Sequence, residues 1–148
     1  MANIVAVMIG VLFILIGLAG FAFNNLLGAH LTLAHNLIHL VSGAASLYIG
    51  LKCSNYAAKV FCWAFGTVYL SLGVFGYWFG FAHGASYLPL DAQDHGVESN
   101  MFRVIPGVLE LGSIDHIIHV VLGAVYIIAA MMTRTTRNAA EFFEGNPE

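Results

Sequence analysis

Charge is scarce in this sequence. Of its 148 residues only 9% are Asp, Glu, Lys or Arg, whereas 59% are hydrophobic. A soluble domain carries roughly 25% charged residues, because water must wet its surface. The few charges here also fall at the ends of apolar stretches of about 20 residues, the length that crosses roughly 30 Å of hydrocarbon. The composition therefore predicts an integral membrane protein with the lipid bilayer as its surroundings.

Basic residues are scarcer than acidic ones, and this excludes a class of partner. The net charge is -3, and no basic stripe exists that would follow a phosphate backbone, so we expect no nucleic-acid partner. The two cysteines, Cys53 and Cys62, fit no zinc-binding spacing, and we interpret them as small apolar side chains. No nucleophile with a base and an orienting group is evident, so the sequence gives no positive sign of an enzyme.

Four apolar stretches predict an all-α fold, an integral membrane four-helix bundle. The predicted spans cover about residues 3–23, 31–51, 60–81 and 112–133, which together make one domain over 1–133. A polar cytoplasmic tail follows at 134–148.

The distribution of Lys and Arg predicts the orientation of these spans. Four basic residues lie on the side of the second connection and the C-terminus: Lys52, Lys59, Arg134 and Arg137. Arg103 alone lies on the other side. Because basic residues are retained in the cytoplasm, both termini are expected there, in a multi-pass protein of a bacterial inner membrane.

An internal repeat divides the chain into two halves. Three glycines of the first span recur with identical spacing in the third: Gly10, Gly17 and Gly20 correspond to Gly66, Gly73 and Gly76. The string Ile-His-(Leu/Val)-Val-x-Gly-Ala occurs at 38–44 and again at 118–124. The repeat predicts two parallel helical hairpins, the second with a longer external connection. Such repeats are commonly related by a pseudo-two-fold axis along the membrane normal.

Ionisable residues mark the outer ends of the second and fourth spans. His35 and His39 are four residues apart, as are Asp115 and His119, so each pair shares one helix face. The pseudo-axis turns these two faces towards each other. We therefore expect an upper layer of His35 with Asp115 and a lower layer of His39 with His119. His30 and His83 fall at span ends, where we expect polar tips to meet water.

These stretches resemble a known family. Residues 35–43 and 115–123 are similar to the two signature stretches of a bacterial four-helix membrane family, catalogued as domain of unknown function 4383. Residues 17–21 and 72–76 resemble its first and third helices, so the resemblance covers about 3–133. It implies the membrane fold but no activity. It also implies that certain residues recur in the family: His39 and His119, with His35, Asn36 and Asp115 beside them.

One interpretation of the histidines is structural. A neutral histidine donates one hydrogen bond and accepts another, so it can join helices without burying a charge. Asp115 would then cap the fourth span, where a negative charge suits the helix dipole. The protein would be a structural or accessory subunit without a cofactor, either a homo-oligomer or part of a larger membrane complex. The Gly76 to Gly80 spacing and exposed aromatic side chains would permit contacts with such a partner.

Two other interpretations involve cofactors. His39 and His119 on facing helices would suit a haem b, with Arg103 as the external basic residue for its propionates. Alternatively, copper or zinc, which bind imidazole, would be held by four histidines with a carboxylate from Asp115 or Glu110. Those histidines are His35, His39, His116 and His119. Proton or solute passage along the layer is a further interpretation, although no ionisable residue continues the path towards the cytoplasm.

The third connection adds two weaker features. Asp91, Asp94, His95 and Glu98 would share one face of a helix and suit a divalent cation, but we interpret them as a solvated loop. Residues 101–111 are mildly amphipathic and interrupted by Pro106, so we expect them to lie on the external membrane surface.

Overall fold

The computed structural model describes residues 1–23, 25–81 and 100–135, and within them the chain is mostly helical. The four helices are α1 (Ala2–Ala19), α2 (Leu33–Lys52), α3 (Asn55–Phe79) and α4 (Ser113–Met132). Three of them, α1, α3 and α4, are long and apolar enough to cross a membrane. The predicted helical character of the four stretches is therefore confirmed. The acidic residues of the third connection, His83 and the tail beyond Thr135 lie outside the described residues.

Hydroxyl side chains fix where two of the helices begin. The side chain of Thr32 accepts a hydrogen bond from the amide of His35 at 3.2 Å, and that of Ser54 accepts one from Ala57 at 3.2 Å. Such caps satisfy amides that have no partner inside the first helical turn. The cap at Ser54 starts α3 five residues before the predicted boundary, so Lys59 lies within the helix rather than in a polar connection.

Glycines allow the helices of each hairpin to approach closely. In the first hairpin, a Cβ on Gly10 would lie 2.9 Å from the carbonyl oxygen of Gly43. In the second, a Cβ on Gly66 would lie 3.0 Å from the carbonyl oxygen of Gly123. Small residues at a helix interface let backbones come this near inside a bilayer, where burial of apolar surface gives no driving force. α1 therefore packs mainly on α2, and α3 on α4.

Side chains make the contacts between the two hairpins. The rings of Phe13 and Tyr69 lie 5.4 Å apart between centroids. The hydroxyls of Ser46 and Tyr126 are hydrogen-bonded at 2.9 Å in the buried interior. Each pair joins two positions that correspond to each other in the sequence repeat.

Two short antiparallel ribbons, which the all-α prediction missed, precede α2 and α4. The first pairs β1 (Asn25–Leu26) with β2 (Ala29–His30), and the second pairs β3 (Phe102–Ile105) with β4 (Leu109–Leu111). Their turns use residues with positive φ: Leu27 at 57° and Gly28 at 91° in the first, and Gly107 at 71° in the second. Residues 102–111 thus form a ribbon, and their expected position on the external membrane surface stays a prediction. A two-stranded ribbon is too short to show a clear alternating pattern in sequence.

Hydrogen bonds gather the helix ends opposite the ribbons. The amide of Ala2 donates to the side-chain oxygen of Thr133 at 2.7 Å, and Lys59 Nζ donates to the carbonyl of Thr133 at 3.0 Å. Asn3 Nδ2 donates to the carbonyl of Cys53 at 3.1 Å. This end of the bundle therefore joins the start of α1, the start of α3 and the end of α4, with the end of α2 beside them.

The glycine contacts generate a test of the hairpin packing. In Gly123→Ala, the new Cβ would lie 2.5 Å from the backbone nitrogen of Leu70, so the helices must separate. We expect the free energy of unfolding to fall by about 1–3 kcal/mol, the usual cost of overpacking. Val121→Ala, on the exposed side of the same helix, is the control and should change it by less than about 0.5 kcal/mol. Unfolding in a denaturing detergent titration measures both, and equal stability of the two variants would contradict the proposed close approach.

Candidate functional site

Four aromatic rings pack together between the helices, towards the end of the bundle that carries the ribbons. The imidazole of His39 packs against Phe13, with centroids 5.1 Å apart, and that of His119 packs against Tyr69 at 5.5 Å. Since Phe13 and Tyr69 touch each other, the four rings form one continuous cluster. The two histidines therefore occupy equivalent places in the two hairpins, each beside the ring supplied by the first helix of its own hairpin.

His35 connects the two histidines more directly. Its ring stacks on that of His39, with centroids 4.5 Å apart and planes inclined by 20°. Its centroid is also 6.1 Å from that of His119. All three imidazoles are buried. In both His39 and His119 the nitrogen Nδ1 is enclosed and has no hydrogen-bond partner among the described residues.

Asp115 is the acidic centre of the site. Its Oδ2 accepts a hydrogen bond from the amide of Gly112 at 2.8 Å, which caps α4 as the sequence predicts. The same oxygen accepts a hydrogen bond from the amide of His30 at 3.2 Å and lies 3.7 Å from His30 Nδ1. The carboxylate is buried, so these contacts replace the water that it would otherwise bind. Asp115 thus joins its own helix to the ribbon of the other hairpin.

The structure connects His35 to Asp115 through His30, whereas the sequence predicts that the two form one layer directly. His35 Nδ1 lies 2.5 Å from the carbonyl oxygen of His30, while the amide and ring of His30 face the carboxylate. His30 was expected to meet water at a span end, and that prediction is wrong because the first ribbon folds back over the helices and buries it. The signal in the sequence was the turn Leu27-Gly28, which returns His30 towards the bundle.

The contact with His30 also determines which role Nδ1 of His35 has. A carbonyl oxygen only accepts hydrogen bonds, so Nδ1 of His35 must be the donor. In a neutral imidazole the other nitrogen, Nε2, then carries a lone pair and is an acceptor. His35 therefore offers an acceptor to whatever lies on its other side.

His116 lies apart from the cluster. Its ring packs against Gly76, contacts Tyr77 with centroids 5.7 Å apart, and places Nε2 2.8 Å from the carbonyl oxygen of Asn100. Asn36 packs against Gly20 in the same way in the first hairpin. His116 therefore fills a notch in α3 that a glycine opens, as Asn36 does in α1.

The predicted metal ligands are not assembled into one group. Among the residues that the structure describes, no three His, Cys, Asp or Glu side chains are arranged to hold a metal ion. Glu110 is buried in the second ribbon, where it accepts a hydrogen bond from the amide of Gly107 at 2.8 Å and lies 3.8 Å from Arg103 Nε. The carboxylate of Glu110 and the side chain of Arg103 are thus engaged with each other in that ribbon.

A cavity of about 100 Å³ lies beside the histidines. Its walls come from α1, the first ribbon, α2 and α4, and include Leu12, Phe13, Leu27, His35, His39 and His119. Asp115 also reaches it. An apolar cavity of roughly 150 Å³ is enough for benzene. A haem is far larger than benzene, so it does not fit between His39 and His119 in this arrangement, and Arg103 is already close to Glu110.

The comparison with known families finds a match that covers about the first two-thirds of the chain. The family described as domain of unknown function DUF4383 matches residues 3–101. The chain belongs to this family. The DUF4383 match contains α1, α2 and α3, and therefore His35 and His39, but it ends before Asp115 and His119. No curated protein and no solved structure matches the chain.

The contacts of Asp115 predict how its variants behave. In Asp115→Ala, the amides of Gly112 and His30 lose their acceptor, at a cost of about 1–3 kcal/mol for each buried group left unsatisfied. Asp115→Asn keeps one side-chain oxygen for both amides and loses only the charge beside His30, so we expect a smaller loss. Thermal unfolding of both variants in the same detergent measures the difference. Equal losses would contradict the role of Asp115 as an acceptor for backbone amides.

Proposed function

We propose that this protein is a four-span membrane protein with a structural or accessory role, in which His30, His35 and Asp115 fasten the external ends of two helical hairpins. The observation that carries the proposal is the double contact of Asp115, which accepts hydrogen bonds from Gly112 of its own hairpin and from His30 of the other. The described hydrogen bonds at this site join helix ends and turns of the same chain. Contacts of this kind hold the two hairpins together.

The surface of the helices supports a membrane location. Large hydrophobic side chains are exposed on all four helices, among them Met8, Val41, Trp78 and Met131. Monomeric soluble proteins rarely expose contiguous apolar patches of more than a few hundred Å². Surrounding lipid would cover these side chains without cost.

α2 also suits a span, although its polar residues set it apart from the other three helices. Those residues face inwards: His35, Asn36, His39, Ser42 and Ser46 are all buried. Apart from Lys52 at its last position, the side chains it exposes are apolar or aromatic, including Leu33, Val41 and Tyr48. Its 20 residues would extend about 30 Å at 1.5 Å per residue, the thickness of the hydrocarbon core. We therefore include α2 as the fourth span.

The parallel-repeat arrangement is supported by matching contacts. The glycine pair Gly10 and Gly43 has its counterpart in Gly66 and Gly123. Positions related by the repeat also meet each other between hairpins, as a pseudo-two-fold axis requires, in the Ser46–Tyr126 hydrogen bond. The axis would run between these residues, along the membrane normal.

The proposed orientation places the end with Lys52 and Lys59 in the cytoplasm of a bacterial cell. Lys59 contacts Thr133, and Arg134 follows directly, so the described basic residues other than Arg103 gather at this end. Basic residues are enriched on the cytoplasmic side of membrane proteins. Both termini would then be cytoplasmic and both ribbons external.

An accessory role implies self-association or membership of a larger complex, and one of the two features expected to permit it is engaged within the chain. Gly76 and Gly80 are in use within the chain, since Gly76 faces His116 and Gly80 faces Asn100. We propose instead the exposed aromatic side chains near the external end of α3, Phe75, Trp78 and Phe79. Aromatic residues are enriched at protein interfaces because they bury a large area at a small entropic cost.

The proposed topology predicts the outcome of reporter fusions. Alkaline phosphatase, which folds outside the cytoplasm, should be active when fused after Val108 and inactive when fused after Arg134. A fluorescent protein that requires the cytoplasm should give the reverse result. Alkaline phosphatase fused after Ser54, between α2 and α3, is the control. It should be inactive, like the C-terminal fusion. Activity of phosphatase at both Val108 and Arg134 would contradict a fourth span.

The haem and metal hypotheses for His39 and His119 stay predictions, and three measurements separate them from the structural role. We expect protein purified from its native membrane to be colourless, to contain no stoichiometric copper or zinc, and to lose stability in His119→Ala. Visible absorption, metal analysis and thermal unfolding measure these three properties. A Soret band or stoichiometric metal that disappears in His119→Ala would overturn the structural proposal. Tyr48→Ala, exposed on α2, is the control for mutation within a helix.

A further inference from the structure

We propose that the cavity beside the histidines binds an uncharged alcohol, with its hydroxyl group against His35 and its aliphatic carbons against Leu12 and Phe13. This site shares His35 and Asp115 with the fastening described above, but the fastening uses Nδ1 of His35, whereas the alcohol would contact Nε2. The proposal rests on the volume of the cavity, its lining, and the imidazole nitrogens that surround it.

The volume sets the size of the ligand. The cavity holds about 100 Å³, two-thirds of the roughly 150 Å³ that accommodates benzene. About four or five non-hydrogen atoms therefore fit inside it. A larger ligand would fit only if the rest of it left through an opening. Leu12, Leu27 and Ile118, which line the cavity, are also exposed on the outer surface, so the cavity reaches the side of the bundle where lipid would lie.

The lining determines the charge of the ligand. Most of the wall is aliphatic or aromatic, and no Lys or Arg is among the described residues that form it. The buried carboxylate of Asp115 reaches the cavity and would repel an anion. A carboxylate or phosphate group therefore does not suit this site, whereas an uncharged group does.

The histidines determine which uncharged group fits. His35 donates from Nδ1 to the carbonyl of His30, so in the neutral ring Nε2 is an acceptor and requires a donor from the ligand. His39 and His119 also line the cavity. A hydroxyl group both donates and accepts, so it satisfies His35 and a second imidazole at once.

The second hairpin supplies a hydroxyl of its own at the equivalent position. Tyr69 corresponds to Phe13 in the repeat, and its hydroxyl interacts with that of Ser42. Ser42 in turn corresponds to Leu122, which lines the cavity. On the side of the cavity both hydroxyls are replaced by hydrocarbon, in Phe13 and Leu122. A ligand alcohol would restore on this side the kind of group that Tyr69 and Ser42 provide on the other.

A thermal-shift titration with 1-butanol tests the proposal. The full-length protein is used in lipid nanodiscs, with diethyl ether as a probe of the same number of atoms that lacks a donor, and butanoate as an anionic probe. At ten times its dissociation constant, 1-butanol should raise the unfolding temperature by about 5 °C above the shift given by ether. Butanoate should give no saturable shift. Equal saturable shifts with 1-butanol and ether would overturn the recognition of a hydroxyl.

A matched pair of variants locates the binding. Leu12→Trp fills the cavity from its exposed edge, whereas Leu15→Trp places the same ring at an exposed position of the same helix outside the lining. We expect the apparent affinity for 1-butanol to fall at least tenfold in Leu12→Trp and to be retained in Leu15→Trp. Equal affinities in the two variants, or the absence of a saturable shift in the unmodified protein, would overturn the proposal. The imidazole nitrogen resonances of His35, which should move with 1-butanol but not with ether, provide a second measurement that does not require unfolding.

A comparison with 1-decanol identifies the source of the alcohol. Its hydroxyl end has the same chemistry, and its longer chain would leave past Leu12 and Leu27 into lipid. Tighter binding of 1-decanol at equal concentration in the bilayer would indicate a hydroxyl-terminated lipid, and equal binding a small soluble alcohol. In either case the binding must be lost in Leu12→Trp, and its persistence there would count against the site.

Discussion

A buried carboxylate is the constraint on which the ribbon end of this structure depends. Asp115 lies in the first turn of α4, and its oxygen is satisfied by Gly112 and His30. Gly112 alone would provide an ordinary helix cap within one hairpin. The contact with His30 requires the first ribbon to fold over the helix ends and requires the two hairpins to keep their register. The position of the ribbon, the burial of His30 and the orientation of His35 all follow from that requirement.

The parts of the fold that the sequence predicted are those with a strong local signal. Four apolar stretches predicted four helices to within a few residues at most ends, and the repeated glycines marked where the helices of each hairpin touch. Asp115 was predicted as a helix cap because an acidic residue in the first turn has a physical reason to be there. Each of these predictions depends on a short segment and on one neighbouring helix.

The parts that were missed depend on residues distant in sequence. The ribbons are only two to four residues per strand, so no alternating pattern identifies them. His30 is buried because a turn with positive φ reverses the chain, and Gly28 signals such a turn without showing which residue it brings against the helices. The spacing of His116 groups it with the other histidines. His116 follows Asp115 by one residue, however, so it lies on a different face of α4 and packs against Gly76 instead. Sequence spacing gives the face of a helix but not which neighbour lies against it.

The contacts near the proposed axis explain why two different hairpins suit this protein better than two identical ones. A residue on a two-fold axis meets its own copy, so identical hairpins would pair serine with serine or aspartate with aspartate. Two buried carboxylates so close would repel each other, and one of them would have to take up a proton. With two hairpins in one chain, corresponding positions can differ: Ser46 meets Tyr126, and Phe13 meets Tyr69. His35 likewise stands where the other hairpin has Asp115. The same freedom leaves hydrocarbon on one side of the bundle where hydroxyls lie on the other, and that hydrocarbon, in Phe13 and Leu122, lines the cavity beside His39.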